Sequence, residues 1–188
     1  ATTSSTTAYY YYPGSQDNVP TYGLLYNWRA AMGSESASDT DPSGVQGVCP
    51  NGWHLPSVAE WNQLSNYVSL QSAYYCDENP DYIAKAFAST TAWQEDYGEC
   101  TVGNDLSANN ATGLTILPAG IFYFGGSYQY FGLYAGLWSA TEKDGEDAYG
   151  PFLSSSNSAL DYNSDGAGKN ILCSPKESGF SVRCVRNE

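Results

Sequence analysis

The sequence predicts an α+β fold in which two short helices pack on small, mostly antiparallel sheets, with long loops and disulfide bracing. Three observations carry this. Helix start signals followed by apolar residues at helical spacing occur only in the first half of the chain. Short aromatic runs, separated by Gly, Ser, Asn and Asp clusters, fill the second half. Five cysteines are scattered without a Cys-x-x-Cys pair, which suits a disulfide framework better than a zinc knuckle or a redox motif.

A length of 188 residues suits one compact domain. Residues 1–19 read as a polar tether or an edge extension, closing on Tyr9 to Tyr12 and then Pro13-Gly14, and residues 20–188 read as the single domain. Residues 22–28, Tyr-Gly-Leu-Leu-Tyr-Asn-Trp, are aromatic and partly alternating, as in a strand. Residues 33–47 are rich in Ser, Asp and Gly and read as a loop. Ser57-Val58-Ala59-Glu60 has the form of a capping box and is followed by Trp61, Leu64 and Val68, so a helix is expected over residues 58–68. Asn79 before Pro80 is a second start signal, with Ile83 and Phe87 on one face of a short helix to Ala88. Strands are expected at 116–118, 120–124, 128–131, 137–141, 149–153 and 180–185.

Composition narrows the function. Hydrophobic residues make up 41%, enough for a core, but charged residues only 14%, so Ser, Thr, Asn and Gly must supply the polar surface. Seventeen Tyr and five Trp against one Met suit an extracellular recognition surface. Net charge is −13 and the seven Lys and Arg form no stripe, so no nucleic acid is expected as a partner, nor an anionic membrane. No apolar run reaches transmembrane length. The chain opens Ala1-Thr2-Thr3 without Met, and a mature chain whose export signal or lipoprotein anchor has been removed is the expectation.

Cys49, Cys76, Cys100, Cys173 and Cys184 face a choice between disulfides and buried thiols, since one histidine leaves a Cys/His metal site short of ligands. An exported protein favours disulfides. The preferred pairing is Cys49 with Cys184, closing most of the domain at roughly 4–5 kcal/mol, and Cys76 with Cys100, at roughly 3 kcal/mol. Cys173 is then left over. The alternative is that some or all are small buried apolar side chains.

Several blocks together resemble the Fibrobacter succinogenes major paralogous domain, from about residue 20 to 188. They are residues 22–28, the run Cys49-Pro50-Asn51-Gly52-Trp53-His54-Leu55-Pro56-Ser57 with Glu60-Trp61, then Leu117-Pro118-Ala119-Gly120, Trp138-Ser139-Ala140-Thr141-Glu142, and Gly179-Phe180-Ser181-Val182-Arg183-Cys184-Val185. The resemblance implies a C-type-lectin-like fold, an exported protein or lipoprotein of Bacteroidetes or Fibrobacter, and a Cys49–Cys184 bridge between the first helix region and the last strand. It implies no catalytic residue. Formylglycine-generating enzymes of the same fold group need a reactive cysteine pair, and Cys173 alone does not make one. Calcium-dependent lectins carry Glu-Pro-Asn or Gln-Pro-Asp with Trp-Asn-Asp, whereas this chain has Glu78-Asn79-Pro80 and Trp138-Ser139-Ala140. Calcium is therefore not supported by motif, and no cofactor or metal site is expected.

The remaining candidates are weighed against plain structural roles. His54 reads as a structural histidine in a turn, and Trp28, Trp53 and Trp61 as core. Glu142, Asp144, Glu146 and Asp147 read as a solvated acidic loop rather than a cation site. Residues 154–170 are almost wholly Asn, Ser, Asp, Tyr, Gly and Ala, a composition that suits an ordinary polar hairpin loop or a loop making adaptable contacts. The first hypothesis is an extracellular adhesion or binding module for a glycan or protein, with Tyr128, Tyr130, Tyr134, Tyr149, Asn157, Asp161, Tyr162, Asn163, Asp165 and Asn170 as contacts. A variant of it makes residues 154–170 a surface varied by a diversity-generating retroelement, whose adenine mutagenesis of Asn codons yields this residue set. The other classes are a glycan-active enzyme with a carboxylate pair and a purely structural surface domain.

Overall fold

The computed structural model describes residues 8–158 and 171–188. Among them the helices are α1 (Val19–Tyr22), α2 (Trp28–Met32), α3 (Val58–Ser69) and α4 (Ala84–Phe87). The strands are β1 (Tyr10–Tyr11), β2 (Leu25–Tyr26), β3 (Trp53–His54), β4 (Ile121–Tyr123), β5 (Ser127–Gln129), β6 (Tyr134–Gly136), β7 (Asp147–Ser154), β8 (Ile171–Pro175) and β9 (Val185–Arg186). All ladders are antiparallel: β1 with β2, β3 with β9, β4 with β5, and a three-stranded sheet in the order β6, β7, β8. The result is an α+β domain of short helices and small antiparallel sheets with two disulfides.

The one long helix forms where the sequence requires it. Ser57 Oγ accepts from the Glu60 N–H at 3.2 Å, and Glu60 Oε2 accepts from the Ser57 N–H at 2.9 Å, so both halves of the capping box are present. α3 then buries Trp61, Ser65 and Val68 on one face. The second start signal works differently. Asn79 Oδ1 accepts from the Asp81 N–H at 3.0 Å, and the Tyr82 N–H returns to the Asn79 carbonyl at 2.9 Å. That is a closed turn rather than a helix start, entered through positive φ at Asp77 and Glu78, and the helix is confined to Ala84–Phe87.

The strand expected over residues 22–28 is broken at both ends. Tyr22 closes α1, Gly23 follows at φ 75°, and only Leu25–Tyr26 is extended. Asn27 is a helix cap, its Oδ1 accepting from the Ala30 N–H at 3.0 Å and from the Tyr9 N–H at 2.9 Å, so Trp28 begins α2. The second of those bonds, with the β1–β2 ladder, makes the Tyr9 to Tyr12 run an edge strand of the domain. Tyr11 stacks on Phe122 with centroids 3.8 Å apart, and Pro13 is buried. Residues 116–118 and 137–141 make only isolated bridges. In the latter, Leu137 and Ser139 N–H groups reach β7 carbonyls while Trp138 N–H reaches Ser181, so the segment is shared between two neighbours. β9 is likewise shorter than expected, Phe180 bridging to Tyr26 instead.

The β6–β7–β8 sheet divides the core. Side chains of a strand alternate between faces. Tyr149 and Leu153 of β7 with Ala135 of β6 and Ile171 of β8 join the cluster around Trp61, Ile83, Phe87 and Ile116. Ala148 and Phe152 of β7 with Tyr134 of β6 join the opposite cluster around Trp28, Met32, Leu55, Trp138 and Phe180. Gly150 is required midway, because a Cβ there would lie 1.7 Å from the Leu137 carbonyl oxygen. Trp138, fully buried, stacks on Phe180 at 4.5 Å and donates its indole N–H to the Tyr26 carbonyl at 2.7 Å. Trp28 is also core and donates to the Ser139 carbonyl at 2.8 Å, but Trp53 is 39% exposed. In the two-residue β3, His54 takes the inward place and its neighbour must face out.

Cys49 and Cys184 are joined, as are Cys76 and Cys100, while Cys173 is a free thiol near Lys143 Nζ at 3.2 Å. Beside the first bridge, His54 Nε2 meets Glu60 Oε1 at 2.6 Å and His54 Nδ1 meets Asn187 Oδ1 at 2.7 Å. Burial alone would lower the His54 pKa, but hydrogen bonds to Glu60 and Asn187 and the Glu60 charge outweigh it and hold the imidazolium above its ordinary value.

Two outcomes follow. The bridges enclose 135 and 24 residues of sequence, so serine pairs at Cys49/Cys184 and Cys76/Cys100 are expected to lower unfolding stability by about 5 and about 3 kcal/mol respectively, measured by denaturant titration. His54 binds its proton more tightly folded than unfolded. Its contribution is therefore complete below the unfolded value of 6.5 and is lost as pH rises through the raised folded value. His54→Gln should remove that slope from the stability profile, and an unchanged slope would contradict the assignment.

Candidate functional site

The late half of the chain builds an aromatic groove. The β4–β5 hairpin turns through Phe124, Gly125 and Gly126, with Tyr123 opposite Ser127 and Phe122 opposite Tyr128. Gly126 has φ 89°, the conformation such a turn demands, and the turn leaves Phe124 at the tip, 65% exposed. From the hairpin a chain of ring contacts runs inward: Tyr123 to Tyr130 at 6.1 Å, Tyr130 to Tyr134 at 4.5 Å, and Tyr134 to Phe152 at 5.0 Å. With Leu172, Ser174 and Pro175 of β8 and Ser178 beyond it, Tyr123, Phe124, Tyr134 and Phe152 enclose about 200 Å³.

The lining carries no charged side chain. Burial first, then the Tyr130 hydroxyl, raises the Tyr123 pKa above its ordinary value. The site therefore offers flat rings with serine and tyrosine hydroxyls around them. Such a surface suits an uncharged ligand with an apolar face and polar edges.

Of the ten contacts expected from sequence, Tyr134 lines this groove and Tyr130 packs behind it, against the Tyr123 and Tyr134 rings. Tyr128 lies on the hairpin, but its hydroxyl donates to the buried Ala119 carbonyl at 2.8 Å, and burial holds its pKa well above the usual tyrosine value. Tyr149 sits on the opposite face of β7, against the Trp61 cluster. Asn157 is half-buried and its carbonyl accepts from the Val102 N–H at 3.1 Å. Asp161, Tyr162, Asn163, Asp165 and Asn170 lie outside the described residues, as does most of the segment considered for retroelement variation. Sequence reasoning missed Tyr123, Phe124, Phe152 and Leu172. The Gly-Gly pair after Phe124 is the signal that places an aromatic at a hairpin tip.

The acidic cluster is structural. Asp144 Oδ1 accepts the N–H groups of Glu146 at 2.8 Å and Asp147 at 2.9 Å, which lowers its pKa, and Glu142 pairs with Lys176. Lys176 also lies over the Trp28 ring at 4.9 Å. Among the described residues no three His, Cys, Asp or Glu side chains are grouped to hold a metal, and no helix is long and apolar enough to cross a membrane.

These features define a disulfide-braced α+β domain with an uncharged aromatic groove between a hairpin and its three-stranded sheet. The chain belongs to the Fibrobacter succinogenes major domain family, whose model matches residues 1–186. The match thus takes in the β1 edge strand as well as the blocks from residue 20 onward. No curated protein and no solved structure matches it.

The Tyr128 hydroxyl offers a clean check on the division between wall and scaffold. Tyr128→Phe leaves the Ala119 carbonyl unpaired and is expected to cost about 1–2 kcal/mol in unfolding stability. Tyr134→Phe, whose ring contacts survive, should cost less than half of that in the same measurement.

Proposed function

We propose that this domain is a non-catalytic, extracellular ligand-binding or adhesion module of C-type-lectin-like fold, and that its aromatic groove takes an uncharged glycan. The observation that carries the reading is the groove itself. Tyr123, Phe124, Tyr134 and Phe152 present rings, Ser174 and Ser178 present hydroxyls, and no charge intervenes. Pyranose rings have an apolar face that lies on an aromatic ring and hydroxyl edges that bond to polar neighbours. The lectin-like fold is supported by early and late segments that pair, β3 with β9, and by α-helices that, among the described residues, are confined to the first half. Two disulfides support an oxidising compartment, reached by export to the cell surface through a signal or lipoprotein anchor.

The test is a glycan array spanning neutral and acidic saccharides, run beside a pull-down with surface proteins. Binding to neutral saccharides is expected. Phe124→Ala, at the exposed tip, should weaken it by roughly tenfold or more without loss of folded structure. Capture of a protein with a blank array would assign the groove to protein recognition, and blanks on both would overturn the binding reading.

A further inference from the structure

We propose that the pocket between α3 and the last residues of the chain is a second binding site, which takes a small organic carboxylate on a compact apolar stem with Arg183 as its anion receptor. The pocket measures about 220 Å³ and is walled by Trp61, Gln63 and Leu64 of α3, by Leu114, and by Arg183 and Val185. It shares no lining residue with the aromatic groove.

Arg183 is what marks it. A guanidinium carries five N–H donors in a planar fork matched to carboxylate oxygens. Here Nη2 donates to the Leu114 carbonyl at 2.9 Å, and among the described residues no carboxylate pairs with the side chain. Burial pulls its pKa below the usual arginine value, and no acidic neighbour offsets it. The acid that does line the pocket, Glu60, has both oxygens engaged: Oε1 by His54, and Oε2 by the Ser43 and Ser57 N–H groups at 2.9 Å each. Glu60 therefore neither neutralises Arg183 nor stands free to repel an incoming anion. Trp61, 6% exposed in the same wall, keeps an indole N–H with no partner.

A half-buried cation without a counter-ion is stabilised by any carboxylate that reaches it. Apart from Glu60 and Gln63 the other walls are apolar, formed by Pro56, Trp61, Leu64, Leu114 and Val185, so the favoured carboxylate carries an apolar group that excludes water from the pair. The volume admits one such small group. The net charge of −13 opposes polyanions at long range, but a single carboxylate inside the roughly 8 Å screening length responds to the guanidinium beside it. Two sources share this chemistry: a free branched short-chain acid, and the terminal residue of a peptide ending in Leu or Val.

The experiment titrates isocaproate, isocaproamide, acetyl-Gly-Leu and its C-terminal amide into the isotope-labelled full chain, followed by nuclear magnetic resonance. Saturable shifts at the Trp61 indole and the Arg183 side chain are expected with the acids and absent with the amides. Arg183→Gln should weaken acid binding by about tenfold or more. Because Arg183 also bonds to Leu114, a second variant, Leu64→Trp, fills the pocket while keeping the guanidinium, and it too should abolish the shifts. Tighter binding of the dipeptide assigns the site to a chain terminus, and tighter binding of isocaproate to a free acid. No saturable shift with either acid, equal binding of acid and amide, or undiminished binding to Leu64→Trp would overturn the proposal. Failure there leaves the aromatic groove untouched, and a blank glycan array leaves this pocket untouched.

Discussion

The Glu60 carboxylate is the point at which distant parts of the chain are held together. One oxygen accepts the Ser57 and Ser43 N–H groups, closing the start of α3 and fixing the loop that precedes β3. The other oxygen pairs with His54, whose far nitrogen meets Asn187 at the end of the chain. A carboxylate this far from water needs both hydrogen bonds and a compensating charge. When protonated, His54 supplies the charge, and only because β3 turns it inward against β9. The Cys49–Cys184 bridge joins the same two regions covalently, with Cα atoms 5.8 Å apart. Helix start, long loop and C-terminus are therefore coupled: moving any one leaves a buried charge or a buried donor unmatched.

From that anchor the late sheet inherits its orientation. Phe180 lies a few residues before Cys184, stacks on Trp138, and so holds the chain against the inner face of β6 and β7. Once that face is set, period two decides everything else on β7. Phe152 turns toward Tyr134 and the hairpin, while Tyr149, three residues earlier, turns toward Trp61. The aromatic groove is thus a consequence of which cluster each strand residue serves. The hairpin completes it from outside, pinned by Tyr11 stacked on Phe122.

Local signals were legible in the sequence and register was not. α3 follows from four adjacent residues and a helical stripe, all within one segment, and the structure matches it to within a residue. The Asn79-Pro80 signal is equally local, yet an Asn side chain serves a turn as readily as a helix, and the positive φ at Asp77 and Glu78 decides for the turn. Asn27 is the converse case, a cap hidden inside an aromatic run that reads as strand. Trp53 departs from the core place expected of it, because Glu60 holds the neighbouring His54 inward in the structural role expected for that histidine. At the groove, Tyr134 was named from the sequence as a late-loop contact, and Tyr130 packs behind it. Phe124 and Phe152 were not, since their placement rests on a hairpin tip and on strand alternation fixed by distant contacts.

The distribution of positive charge adds a further constraint. The chain carries twenty acidic residues and only seven Lys and Arg, so every cation has acids to choose from. Lys176 follows that expectation, pairing with Glu142 over the Trp28 ring. Lys85 departs from it: buried in α4, its ammonium is held by the carbonyls of Thr101, Asn104 and Asp105, and burial lowers its pKa against the pull of the Asp105 carboxylate. There the donors are satisfied and the cage fixes the loop that follows Cys100, which is a complete structural role. Arg183 has one carbonyl, a wider fork and an apolar cavity beside it. Anchoring a loop needs a single donor, as that one bond to Leu114 shows. On the proposed reading a carboxylate is the second partner for the remaining donors, and its shape is set by Leu64, Leu114 and Val185 around it.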